Sequence, residues 1–423
     1  MQDFINILSS EWAIRAFIAS SMVGLMCGIL GCFIVLRNMS LIGDALSHAV
    51  LPGIFFAFLF FGYSTLGFFI GSTIAGLLAA LAISWIQNNV QTKNDAAIGI
   101  IFTAMFSIGV MGISWLNQSE GVHLDLKDFL FGNVLGISNE DIYLTIAVTL
   151  YTILSIVLFY RYLFIITFQP TIAETMGISV KLVHYFLMLL LSFAIVASLR
   201  TVGVILVVAM LITPAATALL LSDKLKQVIL LAGIIGVLST ITGFILSVLL
   251  ETTPGPAMTL CATLFYFIAV VFSPKQGLIV KYNQNRVEKK RIIREDILRQ
   301  VIKNNPSSGM SVEELVSRLY LNEATIRKYL KTMGSSQLLD FDNDKILLTD
   351  EGVMKAEQLV RAHRLWETYQ VKKMGLDIDQ IHDEADFIEH YLSDELLDEI
   401  DRELGFPSKD PHDSPIPGKP VVQ

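Results

Sequence analysis

Long apolar stretches separated by short polar breaks fill the first two thirds of the chain, after which charged residues recur on nearly every turn. Nine stretches are long enough to cross the hydrocarbon core of a bilayer: residues 12–35, 40–61, 65–86, 97–116, 140–160, 183–199, 203–221, 227–250 and 257–273, with eight as the alternative count. Beyond about residue 285 the apolar positions fall at soluble-helix spacing. A basic connector, Arg286 to Arg291, leads into an amphipathic helix predicted from about Ile292 to Lys303, ending at Asn304-Asn305-Pro306. Ser311, followed by Glu313 and Glu314, reads as the cap of a second helix reaching about Leu319. A turn at Tyr320-Leu321-Asn322 and a third helix from Glu323 to Met333 follow. Leu338 to Leu348, folded about Asp342-Asn343-Asp344, then completes a winged helix-turn-helix.

The fold expected is therefore an all-α polytopic membrane body of eight or nine helices over residues 1–285. A winged helix-turn-helix over 286–350 and a further helical domain over 351–423 follow it.

Charge sharpens the division. Of 31 Lys+Arg and 39 Asp+Glu, residues 1–285 hold 11 and 12, leaving 20 and 27 to the last third. That third is acidic, so any contact with DNA has to rest on a local basic patch. The first apolar stretch follows Met-Gln-Asp-Phe without a basic leader or cleavage signal, and an uncleaved first helix is expected. Cys27, Cys32 and Cys261 lie inside apolar stretches without ligand spacing, as buried small hydrophobes do. Lys275, Lys281, Lys289, Lys290 and Arg291 follow the last span, which places the C-terminal end in the cytoplasm and, with nine spans, the N-terminus outside.

Candidate chemistry sits in both halves. Asp44 and His48 are four residues apart just inside the second span, on one helix face, where an ionisable pair either lines a cation route or bonds helix to helix. Between Arg161 and Lys181, Pro170 suits a helix start and Gly177 a stop, giving a short helix on the cytoplasmic face bounded by Phe168 and Gly177 and carrying Glu174. Thr213-Pro214 is expected to break a late span, and Glu251 to Pro256 to turn between the last two. His123 and Asp125 lie in the long outward connection.

In the soluble third the predicted recognition helix offers Thr325, Arg327, Lys328 and Lys331 to phosphates and base edges, unless the fold serves only protein contact or dimerisation. Farther on, His363 and Glu367 share one helix face, and Asp386, Glu389 and His390 share another. Two imidazoles and three carboxylates form a mixed nitrogen and oxygen set suited to Mn²⁺, Fe²⁺ or Zn²⁺.

Several strings resemble the permeases of zinc- and manganese-type ABC importers, across about residues 10–280. They are Arg37 to Gly53 with its Asp-Ala-Leu-Ser-His core, Asp95 to Phe102, Asp128 to Asn133, and Val202-Gly203 through Thr213 to Ala216. The resemblance implies a homodimer or permease heterodimer in a bacterial inner membrane, fed by an extracytoplasmic metal-binding protein. Asp44 and His48 would line the cation route, and the segment holding Phe168, Pro170, Glu174 and Gly177 would dock on an ATPase. No Gly-x-x-x-x-Gly-Lys-Ser/Thr string occurs, so ATP hydrolysis is expected in a separate chain and the permease is not itself an enzyme.

Residues 292–418 resemble the diphtheria toxin repressor family through Arg361 to Glu367, His382 to Ser393 and Asp410 to Pro417. That resemblance implies His363, Glu367, Asp386, Glu389, His390 and His382 as ligands or near-ligands. It draws further ligands from the first helix, where Ile293 and Asp296 stand at the nearest matching positions and only Asp296 can serve. Asp386, where relatives place Cys or Glu, favours Mn²⁺ or Fe²⁺ over Zn²⁺. The chain ends soon after Pro417, leaving no room for the small barrel of longer members.

The function expected is the permease subunit of an ATP-driven importer of Mn²⁺, Fe²⁺ or Zn²⁺ with a metal-sensing tail that throttles transport or binds DNA, in place or after cleavage near Arg286–Arg291. A membrane-anchored metal-dependent transcription regulator and an ATP-independent carrier are the alternatives.

Overall fold

The computed structural model describes residues 10–119, 132, 136–304, 309–342, 344–378 and 381–419. The chain divides into two compact units, Met1–Lys281 and Tyr282–Gln423.

Among the described residues ten helices build the first unit: α1 (Glu11–Leu36), α2 (Ser40–Ala49), α3 (Leu51–Phe61), α4 (Thr65–Asn89), α5 (Asn94–Ser119), α6 (Asn139–Phe168), α7 (Pro170–Thr175), α8 (Val180–Leu221), α9 (Leu225–Leu249) and α10 (Pro254–Phe272). Among the described residues they provide nine segments long and apolar enough to cross a membrane, as the hydropathy pattern led one to expect. Helix α1 lies at the centre, packed against α6, α8 and α9, while α2 packs against α4, α5 and α8. Leu30, Phe33, Leu46, Leu190 and Leu211 are fully or nearly fully buried there. Several buried hydroxyls return their protons to carbonyls one turn back, Ser47 to Gly43, Thr145 to Asp141 and Ser198 to Ala194, so these groups need no water inside the body.

Three details differ from the pattern-based expectation. The second span is two helices that meet at Val50. Pro52, in the first turn of α3, has no amide proton to carry the ladder across that joint. Helix α6 does not stop near residue 160 but continues through Arg161 to Phe168, because the aromatic and β-branched run Tyr162 to Phe168 has no breaker before Pro170. Pro214 does not break α8: backbone angles there stay helical, and the interruption falls at Gly203 (φ 78°, ψ 165°). A proline can sit inside a membrane helix when packing tolerates one missing bond, whereas the Gly203 conformation is open essentially to glycine alone. Gly203→Ala is thus expected to destabilise the body by about 1–3 kcal/mol, visible as a lower unfolding temperature of detergent-purified protein.

Helix α7 runs as expected from Pro170, and the chain turns at Gly177. Cys27, Cys32 and Cys261 are buried free thiols.

The second unit opens on α11 (Leu278–Lys303). The expected connector at Arg286–Arg291 is therefore not a linker but the middle of a helix begun fourteen residues before Ile292. Its residues 282–291 are exposed, and runs of Lys, Arg, Glu and Gln are good helix formers that need no packing partner. Next come β1 (Met310–Ser311), α12 (Val312–Leu319), α13 (Glu323–Ser335), β2 (Leu339–Asp342) and β3 (Lys345–Leu348). Ser311 and Asn322 cap α12 and α13, accepting from Glu314 N and Thr325 N. The antiparallel sheet has the order β1-β3-β2, with Met310 opposite Ile346 and Leu339 opposite Leu348. Ile297, Leu315, Ile326, Leu330 and Ile346 form the core of this winged helix-turn-helix. The remainder is α14 (Asp350–Tyr369), a π-helical turn at Gln370–Met374, α15 (His382–Ile388) and α16 (Asp394–Glu403), closed around Ala362, Leu365, Leu397 and Ile400. Arg361, buried between α14 and α16, reaches Asp401 at 2.6 Å and Asp398 at 3.7 Å.

Candidate metal sites in the two units

In the first unit, Asp44 and His48 lie on α2 one turn apart, with His48 Nε2 3.9 Å from Asp44 Oδ1. About half of the Asp44 side chain is exposed, while that of His48 is mostly covered. Phe102 and Phe106 of α5 meet the imidazole edge-on at 5.3 and 5.4 Å between ring centres, and His48 Nδ1 is buried without a partner. Nε2 and the half-open Asp44 carboxylate lie close enough to be offered to one passing cation. Phe102 ends the Asp95–Phe102 motif and Phe106 belongs to none of the motifs; the i, i+4 spacing of the two rings is the only mark they leave in the sequence. His123, Asp125 and residues 128–131 and 133 of the quoted motif lie outside the described residues. Phe168, Pro170, Glu174 and Gly177 are all exposed at the α6–α7 corner.

The second unit holds a denser cluster. Glu389, at the end of α15, has a side chain with no exposed surface. His363 of α14 lies between acids: Nε2 is 3.1 Å from Glu367 Oε1, and Nδ1 is 2.7 Å from Glu389 Oε2 and 3.4 Å from Asp386 Oδ1. His390 Nε2 is 3.5 Å from Asp296 Oδ1 and 3.7 Å from Glu389 Oε1, while its Nδ1 is bonded at 2.6 Å to Glu295 Oε2. Burial works against the imidazolium of His363, but hydrogen bonds to Glu367 and Glu389 outweigh it and lift its pKa to about 9. For His390 burial is likewise outweighed by Asp296 and Glu295, with the same result of about 9. Both rings are therefore protonated at neutral pH in the absence of an ion, and a metal has to displace those protons.

The donors fit a divalent transition metal. Two groups of three have ligand atoms close enough to share an ion, Asp296/Glu389/His390 and His363/Asp386/Glu389, and Glu389 Oε1 is buried without a hydrogen-bond partner. Of the residues expected to ligate, six converge; the side chain of His382 lies outside the described residues. Ile293 is not at a ligand position at all, since it packs against the winged-helix core. The first helix instead contributes Glu295, Asp296 and Arg299, the last two of which are one turn apart on one face. Arg299 Nη1 reaches Glu389 Oε2 at 2.9 Å and bonds Asp386 Oδ1. Asp296 stands in the cluster as expected, while Glu295 and Arg299, which orient or pair the ligands, carry no spacing signal in the sequence.

On α13, Lys328 and Lys331 are exposed and Thr325 is half-buried. Arg327 is held at 2.7 Å by both Glu323 and Asp344, the latter from the turn between β2 and β3.

Each unit resembles known proteins. Residues 349–418, which contain His363, Glu367 and the Asp386–His390 segment, match the iron dependent repressor, metal binding and dimerisation domain. The manganese transport system membrane protein MntC of Halalkalibacterium halodurans is 46% identical over 279 residues, 66% of this chain and 93% of that protein. The protein of the same name from Bacillus subtilis is 32% identical over 374 residues, 87% of this chain and 85% of the relative. That alignment is longer than the 281 residues of the first unit, so it runs into the second. The structure of PsaBC from Streptococcus pneumoniae in complex with Fab includes a chain 38% identical to this one, superposing with a TM-score of 0.59 over 65% of this chain and 97% of that one. Residues 9–273, more than half the sequence, match the ABC 3 transport family, and the chain belongs to that family.

Proposed function

We propose that the chain is the membrane permease of an ATP-driven manganese importer, with Fe²⁺ and Zn²⁺ as competing cargo, and that its second unit senses the imported ion in the cytoplasm. The observation that carries this reading is the pairing, in one chain, of a carboxylate–imidazole step inside a span of a transport-family body with a buried carboxylate–imidazole cluster in a repressor-like domain. Similarity to manganese permeases supports Mn²⁺, as does the hard oxygen-rich donor set.

In this mechanism an external binding protein delivers the ion to a dimeric body, and Asp44 and His48 receive it. The exposed Phe168–Gly177 corner takes up the movement of a separate ATPase, and rigid-body rocking of the helices alternates access. Residues Asp296, Glu389 and His390 then read the ion after entry, His363 and Asp386 frame the same carboxylate, and the filled domain feeds back on transport through its dimer contact. DNA binding is the second output: Lys328, Lys331 and Thr325 face outward, while Arg327 would first have to exchange Asp344 for a phosphate.

Uptake of radioactive Mn²⁺ by cells expressing the chain with its ATPase and binding protein, competed with unlabelled Mn²⁺, Fe²⁺ and Zn²⁺, tests the proposal. Uptake that persists without the ATPase would favour a carrier. No uptake, together with metal-dependent retention of DNA, would favour an anchored regulator. Within the sensor, Glu295→Gln is expected to weaken Mn²⁺ binding about 10–100-fold, because it loosens the group that orients His390 without removing a ligand; equilibrium dialysis reads this directly.

A further inference from the structure

Glu389 presents two differently furnished faces. Its Oε2 looks toward His363 Nδ1 at 2.7 Å and Arg299 Nη1 at 2.9 Å, and the same guanidinium nitrogen is bonded to Asp386 Oδ1. Its Oε1 looks toward His390 Nε2 at 3.7 Å, with Asp296 Oδ1 3.5 Å from that nitrogen, and it accepts no hydrogen bond. Each face completes one of the two candidate metal triads. They are not equivalent, because one already holds a cation.

On the Oε2 face the guanidinium lies against two of the three ligand atoms, and the Arg299 side chain is only 7% exposed. It also stands 3.8 Å from Asp296. A planar, permanently charged group with several fixed donors is well suited to satisfy two buried carboxylates at once. A divalent ion there would have to share the Asp386 and Glu389 oxygens with a positive charge that is covalently tethered and has no deprotonated form to retreat to. On the Oε1 face the spacings are near those of ligand atoms on one ion, which stand about 3.0–3.6 Å apart when each is about 2.1 Å from the metal. There Glu295 fixes the second nitrogen of His390 so that Nε2 points inward.

We infer that Arg299 acts as a built-in cation that fills the His363/Asp386/Glu389 position, so that each chain takes one divalent ion, at Asp296 Oδ1, Glu389 Oε1 and His390 Nε2, rather than two. The inference rests on the reading of this cluster as a metal site. It gives the sensor a half-assembled resting state. Arg299 ties α11 to the Asp386–Glu389 segment whether or not metal is present, and the ion adds only the tie through Asp296 and His390. Occupancy then follows the free ion concentration with simple one-site dependence, without a second ion to make the response steeper.

The test uses the full-length chain carrying D44A and H48A, stripped with chelator and dialysed against Mn²⁺, with bound manganese counted by elemental analysis and its coupling read by low-temperature electron paramagnetic resonance. One ion per chain with an isolated six-line signal is expected in this background and in R299K, which keeps the charge. Two ions and an exchange-coupled signal are expected in R299E, which replaces the cation with a ligand, and a return to one ion in R299E/H363A. R299Q, which leaves the two carboxylates unpaired, is expected to fold best with Mn²⁺ present and to gain the second ion. Two ions in the R299 background, or a count that stays at one in both R299Q and R299E, overturns the role of Arg299 while the metal site stands. No bound ion in the D44A/H48A chain, or a bound count and affinity that H390A leaves unchanged, overturns the metal site and this inference together.

Discussion

Glu389→Gln is expected to lower the affinity of the second unit for Mn²⁺ by about 100-fold or more, the largest effect of any single substitution in the cluster. The reason is topological as well as chemical. This carboxylate is the one residue shared by both triads, and its side chain has no exposed surface. Gln keeps the shape but exchanges an anionic oxygen for a donor, so either Oε1 is lost to the ion or Oε2 is lost to Arg299 and His363. The metal-free protein should suffer too. Removing one partner of a buried charge network leaves the others unpaired, at a cost of about 3–5 kcal/mol, and here both Arg299 and His363 lose their common acceptor. Equilibrium dialysis against Mn²⁺ and a thermal melt of the metal-free chain measure the two losses. Unchanged dialysis with an altered melt would make Glu389 a structural anion only. Arg361 offers a control, since its pairs with Asp398 and Asp401 lie apart from the cluster: Arg361→Met should move the melt and leave Mn²⁺ affinity within about twofold.

The parts of this molecule that were legible in its sequence are those governed by one-dimensional regularities. Length and hydrophobicity decide whether a helix can span a membrane, and the nine described spans follow them. Caps obey local chemistry, so Ser311 and Pro170 mark element starts in the structure as they do in the sequence, and Asn322, read there as part of a turn, caps the helix that follows. Paired ligands four residues apart are equally visible, so His363/Glu367 and Asp386/His390 stand out in the sequence alone. What depended on three-dimensional closure was not visible. Whether Gly203 or Pro214 interrupts α8 is decided by which position packing over-determines, and a proline rule alone points to the wrong one. The charged run at Arg286–Arg291 reads as a linker by composition but as uninterrupted helix by propensity, and without Gly or Pro nothing stops α11 between Leu278 and Lys303. The first helix is legible only in part: Asp296 is expected in the cluster and lies there, whereas packing sets the register of α11 that turns Ile293 to the winged-helix core, Glu295 to His390 and Arg299 to Glu389. A buried arginine among acids has no periodic signature at all.

Asp44→Ala combined with His48→Ala is expected to reduce manganese uptake about tenfold or more while leaving assembly of the protein intact. Both side chains project from α2, but they differ in what they would leave behind. Asp44 is half exposed, so losing it removes a charge that water already solvates in part, and its structural cost is small. His48 is wedged against Phe102 and Phe106, and truncation opens a gap among aromatic rings. His48→Phe therefore supplies the cleaner comparison, because it keeps an aromatic ring of similar size and removes only the nitrogens. If transport needs the imidazole, His48→Phe should fall with the double alanine variant; if the position serves only helix packing, it should transport normally. Asp44→Asn separates charge from hydrogen bonding in the same way. A substrate step requires an anion for a divalent ion leaving water, since an amide oxygen is a weaker ligand and carries no charge to offset the desolvation. Loss of uptake in both isosteric variants, with expression and melting temperature held near those of the parent, would assign α2 to the route of the ion and not to the scaffold.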